Sequence, residues 1–190
     1  MRPGTGTGNV ARHLLSRLPE CALVCLDGSP DMIAVARRRL RRHRRVRFLQ
    51  RDFGRAAWTK DLPPLDAVVS FGAVHHLDRP GKKRLFSQIR ELLRPGGIFL
   101  CADPVRGTSA PMERRYEEAW VRLIKANLAR INGDSPSLAS IRRRHRRLQR
   151  EDGDRPSPLP DQLEWLRQAR FHQVDCHWKR FGFALFGGVR

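Results

Sequence analysis

The chain lacks the features that mark membrane, secreted and disulfide-rich proteins. Among its 190 residues, no apolar run approaches the roughly 18 residues that a membrane span needs. The N-terminal stretch MRPGTGTGNVARHL has no apolar core of the kind found in signal peptides, so we expect a protein that is not secreted. The cysteines form no CxxC pair; they are Cys21, Cys25, Cys101 and Cys176. Reduced thiols and a cytoplasmic location are therefore predicted.

Lysine and acidic residues are scarce beside arginine. The chain has 38 Lys+Arg against 19 Asp+Glu, a net charge of +19, and only five of the 38 are Lys. Two dense runs are RRRLRRHRRVR at 37–47 and RRRHRRLQR at 142–150. Because arginine suits phosphate recognition, one interpretation is an RNA-binding surface. Neither run has the interleaved aromatic residues that stack on bases, and solvated helix faces or a GC-rich coding bias are the alternative.

What the chain does have is a regular alternation of apolar and amphipathic segments as far as about residue 103. The pattern predicts strands at 22–27, 46–52, 65–71 and 98–103. It predicts helices at 9–18, from Ser29 to about Arg42, and at 81–93. This alternation is typical of an α/β fold with a doubly wound, mostly parallel sheet.

The pattern changes after Pro104. Two helices, at 111–131 and 137–150, precede a polar, proline-rich loop at 151–160. A short helix at 160–169 and two final strands, at 173–178 and 182–188, end the chain. We predict a single domain over 1–190. It comprises a cofactor-binding core at 1–103, a helical basic insertion or substrate cover at 104–158, and a C-terminal helix and two strands at 159–190.

A glycine-rich loop opens the chain. Gly4-Thr5-Gly6-Thr7-Gly8 stands immediately before the first predicted helix. Glycines at alternate positions allow the backbone to turn tightly and to approach a ligand closely. The following helix N-terminus supplies free amide donors and a positive dipole. The loop therefore predicts a ligand-binding turn, or at minimum a flexible start to the helix.

Two acidic residues end the next two predicted strands. Asp27 follows Gly8 by 19 residues, the spacing at which a carboxylate accepts ribose hydroxyls in dinucleotide-type sites. Asp52 is followed by Phe53, a pairing that can accept from an exocyclic amine and flank a base. The alternatives are that Asp27 caps the next helix and that Asp52 is merely a polar strand end.

Together these motifs resemble the class I S-adenosylmethionine-dependent methyltransferases over nearly the whole chain. The matching segments are the glycine loop, LDGSPDM at 26–32, QRDF at 50–53, LDAVVSFGAVHHL at 65–77, LLRPGG at 92–97 and FHQVDCHWK at 171–179. A nicotinamide-dependent oxidoreductase would normally have G-x-G-x-x-G, whereas the spacing here is G-x-G-x-G. The resemblance implies a Rossmann-like sheet with an antiparallel final strand and a helical insertion before the last two strands.

The resemblance also implies a cofactor, S-adenosyl-L-methionine, and residues that bind it. The glycine loop would hold the methionine end, Asp27 the ribose, and Asp52 with Phe53 the adenine. Met32 would pack on the nucleoside or fill the core, and the end of the strand at 65–71 would touch the cofactor through its backbone. The full implied set is Gly4, Thr5, Gly6, Gly8, Asp27, Gly28, Met32, Asp52, Phe53, Ser70 and Phe71.

The implied reaction is in-line methyl transfer to an acceptor, which we expect to be a small molecule. His75 and His76 follow the strand at 65–71, where ligands gather in such sheets, and either could assist deprotonation or position an acceptor. Tyr116, one helical turn from Trp120, could line the acceptor pocket or belong to the core. No Cys, Asp or Glu near the two histidines in the sequence completes a metal-ligand set, so we predict no metal.

One departure from the family pattern is a missing strand. The family has a strand directly before the glycine loop, with an acid near its end, whereas here only Met1, Arg2 and Pro3 precede Gly4. We therefore expect unpaired edges on the strands that end at Asp27 and near Ser70. Three explanations of the missing strand stay open: the chain is a fragment, its start is misassigned, or it is a decayed copy of a family member. The alternative functions are an RNA methyltransferase and an inactive remnant of the fold.

Overall fold

A computed structural model describes residues 5–133 and 136–190. Within these residues the strands are β1 Leu23–Asp27, β2 Val46–Gln50, β3 Leu65–Phe71, β4 Leu93–Pro104, β5 His172–Arg180 and β6 Phe183–Val189. The α-helices are α1 Asn9–Arg17, α2 Pro30–Arg39, α3 Arg79–Leu92, α4 Ala110–Asn132, α5 Leu138–Glu151 and α6 Leu159–Gln168. Short 3₁₀ turns lie at Ala56–Thr59 and Val74–His76. The predicted elements agree with these bounds to within a few residues, apart from the start of β4.

Polar caps explain why the helices begin where they do. The side chains of four residues accept a hydrogen bond from the backbone of the first turn of the helix that follows: Ser29, Asp78, Ser109 and Ser137. Such caps satisfy amides that have no partner within the helix. Proline occupies an early position of α2, α3, α4 and α6, where its missing amide hydrogen costs nothing.

The strands form two sheets. β1 pairs in parallel with β2, and the other strands form a four-stranded sheet in the order β3-β4-β6-β5. β3 and β4 are parallel, whereas β6 is antiparallel to both of its neighbours. The predicted fold class, a mostly parallel Rossmann-like α/β architecture with an antiparallel final strand and a preceding helical insertion, is confirmed.

A cleft separates the two sheets. Its volume is about 900 Å³, and residues of β1 line one side while β3 lines the other. Val69 and Phe71 of β3 are 44% and 55% exposed, although a strand in the middle of a parallel sheet would bury such side chains. The two strands that face each other across the cleft are those for which the sequence predicted unpaired edges.

The two sheets carry separate cores. The larger core lies against the four-stranded sheet and includes Phe86, Phe99 and Phe186, all fully buried. A smaller cluster packs beneath β1 and β2; its buried members are Ala11, Leu15, Cys25 and Leu40. The region that carries the glycine loop therefore has much less buried apolar surface than the region that carries β3 to β6.

The start of β4 differs from the prediction. α3 ends at Leu92, and the strand begins at Leu93 rather than after the Pro95-Gly96-Gly97 junction. Leu93 pairs with Leu65, and the register shifts before Ile98 resumes the pairing. The junction is thus a bulge inside a longer strand, and Gly96, with a φ of 76°, adopts the left-handed conformation that the bulge requires.

The insertion is a pair of helices followed by a loop that returns to the larger sheet. Glu117 of α4 accepts hydrogen bonds from Arg146 of α5 at 2.5 and 2.6 Å, and the ring centroids of Trp120 and His145 lie 6.4 Å apart.

No helix in the described part of the chain is both long and apolar enough to cross a membrane.

Candidate cofactor and acceptor site

The glycine loop lies at the carboxyl end of β1. Thr5 donates its amide hydrogen to the carbonyl of Leu26 at 2.7 Å, which fixes the loop against the strand. Gly6 has a φ of 54°, and a Cβ placed there would meet no atom within 4 Å, so the backbone faces open space. Gly8 has a φ of 79°, and a Cβ placed there would lie only 3.2 Å from the side chain of Ala36. Gly6 therefore leaves room for a ligand, whereas Gly8 permits close packing of α1 on α2. Gly4 lies outside the described residues.

Asp27 connects the loop, β1 and α2. Its Oδ2 accepts the amide hydrogen of Gly6 at 2.7 Å, and its Oδ1 accepts that of Ser29 at 2.8 Å. The residue is fully buried, and Gly28 beside it is buried as well. The glycine loop and the strand-end carboxylate are thus in direct contact. In this conformation Asp27 holds the loop in place.

Asp52 and Phe53 follow β2, the parallel neighbour of β1. Asp27 pairs with Gln50 in this register, so both acids stand at the same end of the two strands. Asp52 is half-buried and accepts the amide hydrogen of Gly54 at 2.8 Å. Phe53 is only 7% exposed, packs into the larger core and lines the cleft between the sheets.

The remaining predicted cofactor residues fall into two groups. Ser70 and Phe71 line the cleft opposite Thr5 and Gly6. Met32 does not line it; the residue is half-buried in the first turn of α2, where its amide donates to the Ser29 hydroxyl at 3.4 Å. The structure therefore brings Thr5, Gly6, Phe53, Ser70 and Phe71 around one space. The other described residues of the predicted set do not line it: Gly8, Asp27, Gly28, Met32 and Asp52.

The two adjacent histidines lie in a cluster of charged residues at the carboxyl ends of β3 and β4. His75 Nδ1 is 3.1 Å from Oδ1 of Asp103, a buried residue at the end of β4. Asp154, in the loop after α5, places its Oδ1 3.3 Å from His75 Nε2 and 3.2 Å from His76 Nδ1. Both imidazoles are therefore close to carboxylates, and neither stands free in the cleft.

This environment moves the two histidine pKa values in opposite directions. Burial alone would lower the pKa of His75. Asp103 opposes this effect through its hydrogen bond and its charge, and Asp154 adds a second negative charge, so the pKa of His75 is raised. The pKa of His76 is lowered, first by burial and then by the charge of His75. His75 therefore holds a proton more tightly than His76 does.

A buried lysine joins the same region to the insertion. Lys82 of α3 is fully buried, and its ammonium donates hydrogen bonds to the Arg155 carbonyl and, at 2.8 Å, to the Ser157 hydroxyl. Burial lowers the pKa of Lys82 to about 8, although the nearby charge of Asp103 opposes the shift. The Arg155 amide also donates to the His75 carbonyl at 2.7 Å. Residues 154–157 are therefore held firmly against the core.

Tyr116 lies apart from this cluster. Lys179 of β5 donates a hydrogen bond to the Tyr116 hydroxyl at 2.7 Å. Its neighbour Trp120 faces His145 of α5 instead. Neither aromatic residue lines the cleft between the sheets, so an acceptor-binding role for Tyr116 stays a prediction.

Several arginines of the basic runs have partners within the chain. Arg39 donates to Thr7 and Asn9 beside the glycine loop, at 2.7–2.8 Å, and Arg45 forms an ion pair with Glu20 at 2.8 Å. In the second run, Arg146 binds Glu117. Because these arginines hold helices and loops in place, part of the positive charge has a structural role and need not serve an RNA-binding surface.

Sequence reasoning missed the acidic partners of the histidines. Asp103 could have been found, because it ends a predicted buried strand at the same sheet edge as Ser70. Asp154 gave no such signal, since it stands in a polar loop far along the chain from His75. Lys82 also gave none, because a lysine on an amphipathic helix is ordinarily exposed.

A family model that describes a methyltransferase domain matches residues 3–99. Among curated proteins, a trans-aconitate 2-methyltransferase from Methylobacterium nodulans is 32% identical over 138 residues, covering 73% of this chain and 45% of the relative. A malonyl-[acyl-carrier protein] O-methyltransferase from Halalkalibacterium halodurans is 30% identical over 98 residues, covering 51% and 35%. The chain thus spans less than half the length of either relative.

Solved structures share the fold at low sequence identity. An O-methyltransferase family protein from Burkholderia thailandensis superposes with a TM-score of 0.69 at 17% identity, covering 98% of this chain and 48% of the other. Human N-acetylserotonin methyltransferase in complex with S-adenosylmethionine gives 0.63 at 16% identity, covering 99% and 46%. Since the family match includes the glycine loop and both strand-end acids, the chain belongs to the class I S-adenosylmethionine-dependent methyltransferase family.

Proposed function

We propose that this protein binds S-adenosyl-L-methionine at the carboxyl ends of β1 to β4 and catalyses methyl transfer to a small-molecule acceptor. The observation that carries the proposal is the hydrogen bond from the Gly6 amide to Asp27 Oδ2. It joins the glycine loop to the strand-end acid, and the family match covers both.

The residues fit the cofactor at three places. The backbone of Gly6 borders open space, with no atom within 4 Å of a Cβ placed there, so a ligand can approach it closely. Asp27 ends β1 and Asp52 follows the end of the adjacent parallel strand β2, so the two acids stand at the same end of these strands. Phe53 supplies an apolar ring on the wall of the cleft. For Asp27 to accept ribose hydroxyls, its bond to the Gly6 amide would have to give way to the nucleoside.

S-adenosylmethionine supplies an activated methyl group, so the protein's work is to position the acceptor and exclude water. The contribution of this chain would be to orient the cofactor with the glycine loop and the strand-end acids. His75 is hydrogen-bonded to Asp103, and His76 lies 3.2 Å from Asp154, which favours a positioning role over abstraction of a proton. An acceptor that is already anionic needs no dedicated base.

A small carboxylic acid is the acceptor class that we propose to test first. Both curated relatives are named for substrates that carry carboxylates. A chain with a net charge of +19 attracts anions, and a carboxylate can attack without losing a proton. The comparisons give no support to an RNA substrate.

The cofactor proposal is tested by calorimetric titration with S-adenosylhomocysteine. We expect Asp27→Ala to weaken binding by about 1–3 kcal/mol, because buried hydroxyls would lose an acceptor. Asp31→Ala, an exposed acid in the first turn of α2, is the matched control and should bind normally. Circular dichroism checks that each variant is folded. Absence of heat with the unmodified protein at millimolar ligand would contradict the proposal and favour the inactive remnant.

The acceptor is tested with methyl-labelled S-adenosylmethionine and two substrate sets. We expect label to pass to members of a panel of small di- and tricarboxylic acids and not to total tRNA. Labelling of the tRNA alone would overturn the small-molecule assignment. A salt titration of tRNA binding would then show whether the arginines contact phosphates.

A further inference from the structure

Three side chains from distant parts of the sequence place metal-binding atoms together. His75 and His76 come from the turn after β3, and Asp154 comes from the loop after α5. Their ligand atoms, His75 Nε2, His76 Nδ1 and Asp154 Oδ1, all lie within 4.8 Å of one another. Two imidazole nitrogens and one carboxylate oxygen form a donor set that zinc accepts.

The spacing of these atoms matches a tetrahedral site. Bonds of about 2.0–2.1 Å to nitrogen and oxygen put neighbouring ligand atoms roughly 3.3–3.4 Å apart. Asp154 Oδ1 lies 3.3 Å from His75 Nε2 and 3.2 Å from His76 Nδ1. The third pair, His75 Nε2 and His76 Nδ1, lies within 4.8 Å.

Two of the three ligand atoms are buried without a hydrogen bond. His76 Nδ1 and Asp154 Oδ1 are inaccessible to solvent, and despite their short separation neither has a hydrogen-bond partner in the described part of the chain. Buried polar atoms are rarely left in this state, because the lost hydration is costly. A cation between them would satisfy both.

Asp103 supplies the outer contact that a histidine ligand normally makes. Its Oδ1 is 3.1 Å from His75 Nδ1, so the imidazole carries its hydrogen on Nδ1 and leaves Nε2 free to face Asp154. A carboxylate behind a histidine fixes the tautomer and ring orientation of a metal ligand. Asp103 also accepts the Ala73 amide hydrogen at 2.8 Å, which anchors the carboxylate.

The charges around the site tolerate a dication. Two carboxylates, Asp103 and Asp154, face the imidazoles, and Asp152 adds a third negative charge nearby. The buried Lys82 is the opposing cation. The side-chain exposures of 9% for His75, 11% for His76 and 17% for Asp154 show that the three donors lie in a largely enclosed position.

We propose that His75 Nε2, His76 Nδ1 and Asp154 Oδ1 bind a zinc ion that fastens the loop at 152–158 to the core. The sequence predicted no metal because it offered no third ligand near the histidines, and the fold supplies one from the far end of the insertion. The ion would cross-link the two segments beside the backbone bond from the Arg155 amide to the His75 carbonyl. The inference is independent of the methyltransferase proposal.

The test uses the full chain after removal of metals with a chelator. We expect zinc chloride to bind with a stoichiometry of one per chain by calorimetry. At 100 times its dissociation constant, zinc should raise the melting temperature by about 5–10 °C. Cobalt(II) should give visible absorption bands typical of tetrahedral coordination.

Variants separate this site from adventitious binding. His76→Gln and Asp154→Asn should lose zinc binding and the cobalt bands, whereas Asp152→Asn, with the same charge change in the same loop, should keep both. Asp103→Asn should retain the stoichiometry but bind about 10–100-fold more weakly, because Asp103 is a positioning residue.

Two results would overturn the assignment: no uptake of zinc or cobalt by the unmodified protein, or equal uptake by Asp154→Asn. Should a variant fail to fold, the cobalt spectrum of the unmodified protein still decides, since octahedral bands alone would contradict the site.

Discussion

The two-stranded sheet β1–β2 and the four-stranded sheet β3-β4-β6-β5 are built from similar elements but hold cores of very different size. The smaller sheet covers four buried apolar residues, whereas the larger one covers a continuous cluster that includes three fully buried phenylalanines. Because hydrophobic stabilisation grows with the apolar area removed from water, the two regions should differ in local stability.

The proposed cofactor site spans this difference in stability, with only part of it on the less stable side. The glycine loop and Asp27 belong to the region of the small core, while Ser70 and the histidine cluster belong to the large one. Binding regions are often drawn from the less stable parts of a fold, because they must rearrange around a ligand. The Gly6–Asp27 bond is the contact that such a rearrangement would exchange.

The largest expected effect comes from opening a cavity in the large core. Phe99 is fully buried between Phe86 and Phe171, with ring centroids 5.7 and 6.0 Å away. Phe99→Ala should lower the free energy of unfolding by about 3–5 kcal/mol, measured by urea denaturation. Phe181→Ala, at a 52% exposed site, should change it by less than about 0.5 kcal/mol. Equal losses would mean that the large core does not dominate stability.

A smaller and more local effect is expected in the small core. Leu40 is 1% exposed and packs with Leu15 and Cys25. Leu40→Ala should cost about 2 kcal/mol, the low end for a buried leucine, because few buried neighbours surround it. Hydrogen exchange should accelerate in β1 and β2 and stay unchanged in β4 and β6.

Leu18→Ala, at a 56% exposed position after α1, is the control for Leu40→Ala and should leave exchange unaltered. If Leu40→Ala accelerates exchange equally in all six strands, the two sheets unfold as one unit and the comparison fails.

A third expected effect is a pH dependence that originates in the large region. The pKa of Lys82 is about 8 in the folded protein and 10.5 in the unfolded chain. Between these pH values the unfolded chain binds more protons, so the free energy of unfolding rises with pH. Below pH 8 the contribution of Lys82 is unfavourable and constant. Urea denaturation across this range, with a chelator present, measures the slope.

Lys82→Met should remove the contribution of Lys82 to that slope, because the buried ammonium group is then absent. Lys83→Met, which changes an exposed neighbour, is the matched control and should keep the slope of the unmodified protein. Identical slopes for all three proteins would show that Lys82 does not titrate across this range.

Much of the fold could be predicted because it is encoded locally. Ser29 and Pro30 mark the start of α2, and the apolar segment before Asp27 marks β1. The glycine loop, Asp27 and Asp52 could be assigned to one site because the ends of adjacent parallel strands meet at one sheet edge. The bulge at Pro95–Gly97 escaped prediction, since it depends on pairing between Leu93 and Leu65 across the sheet.

The sequence alone determined the succession of strands and helices, the family, and the residues at the strand ends, because periodicity, caps and turns act over a few residues. Only the tertiary structure decided that Asp27 bonds the glycine loop, that Tyr116 contacts Lys179, and that Asp154 meets His75 and His76. Such contacts join residues far apart in the chain, and their geometry follows from how whole elements pack.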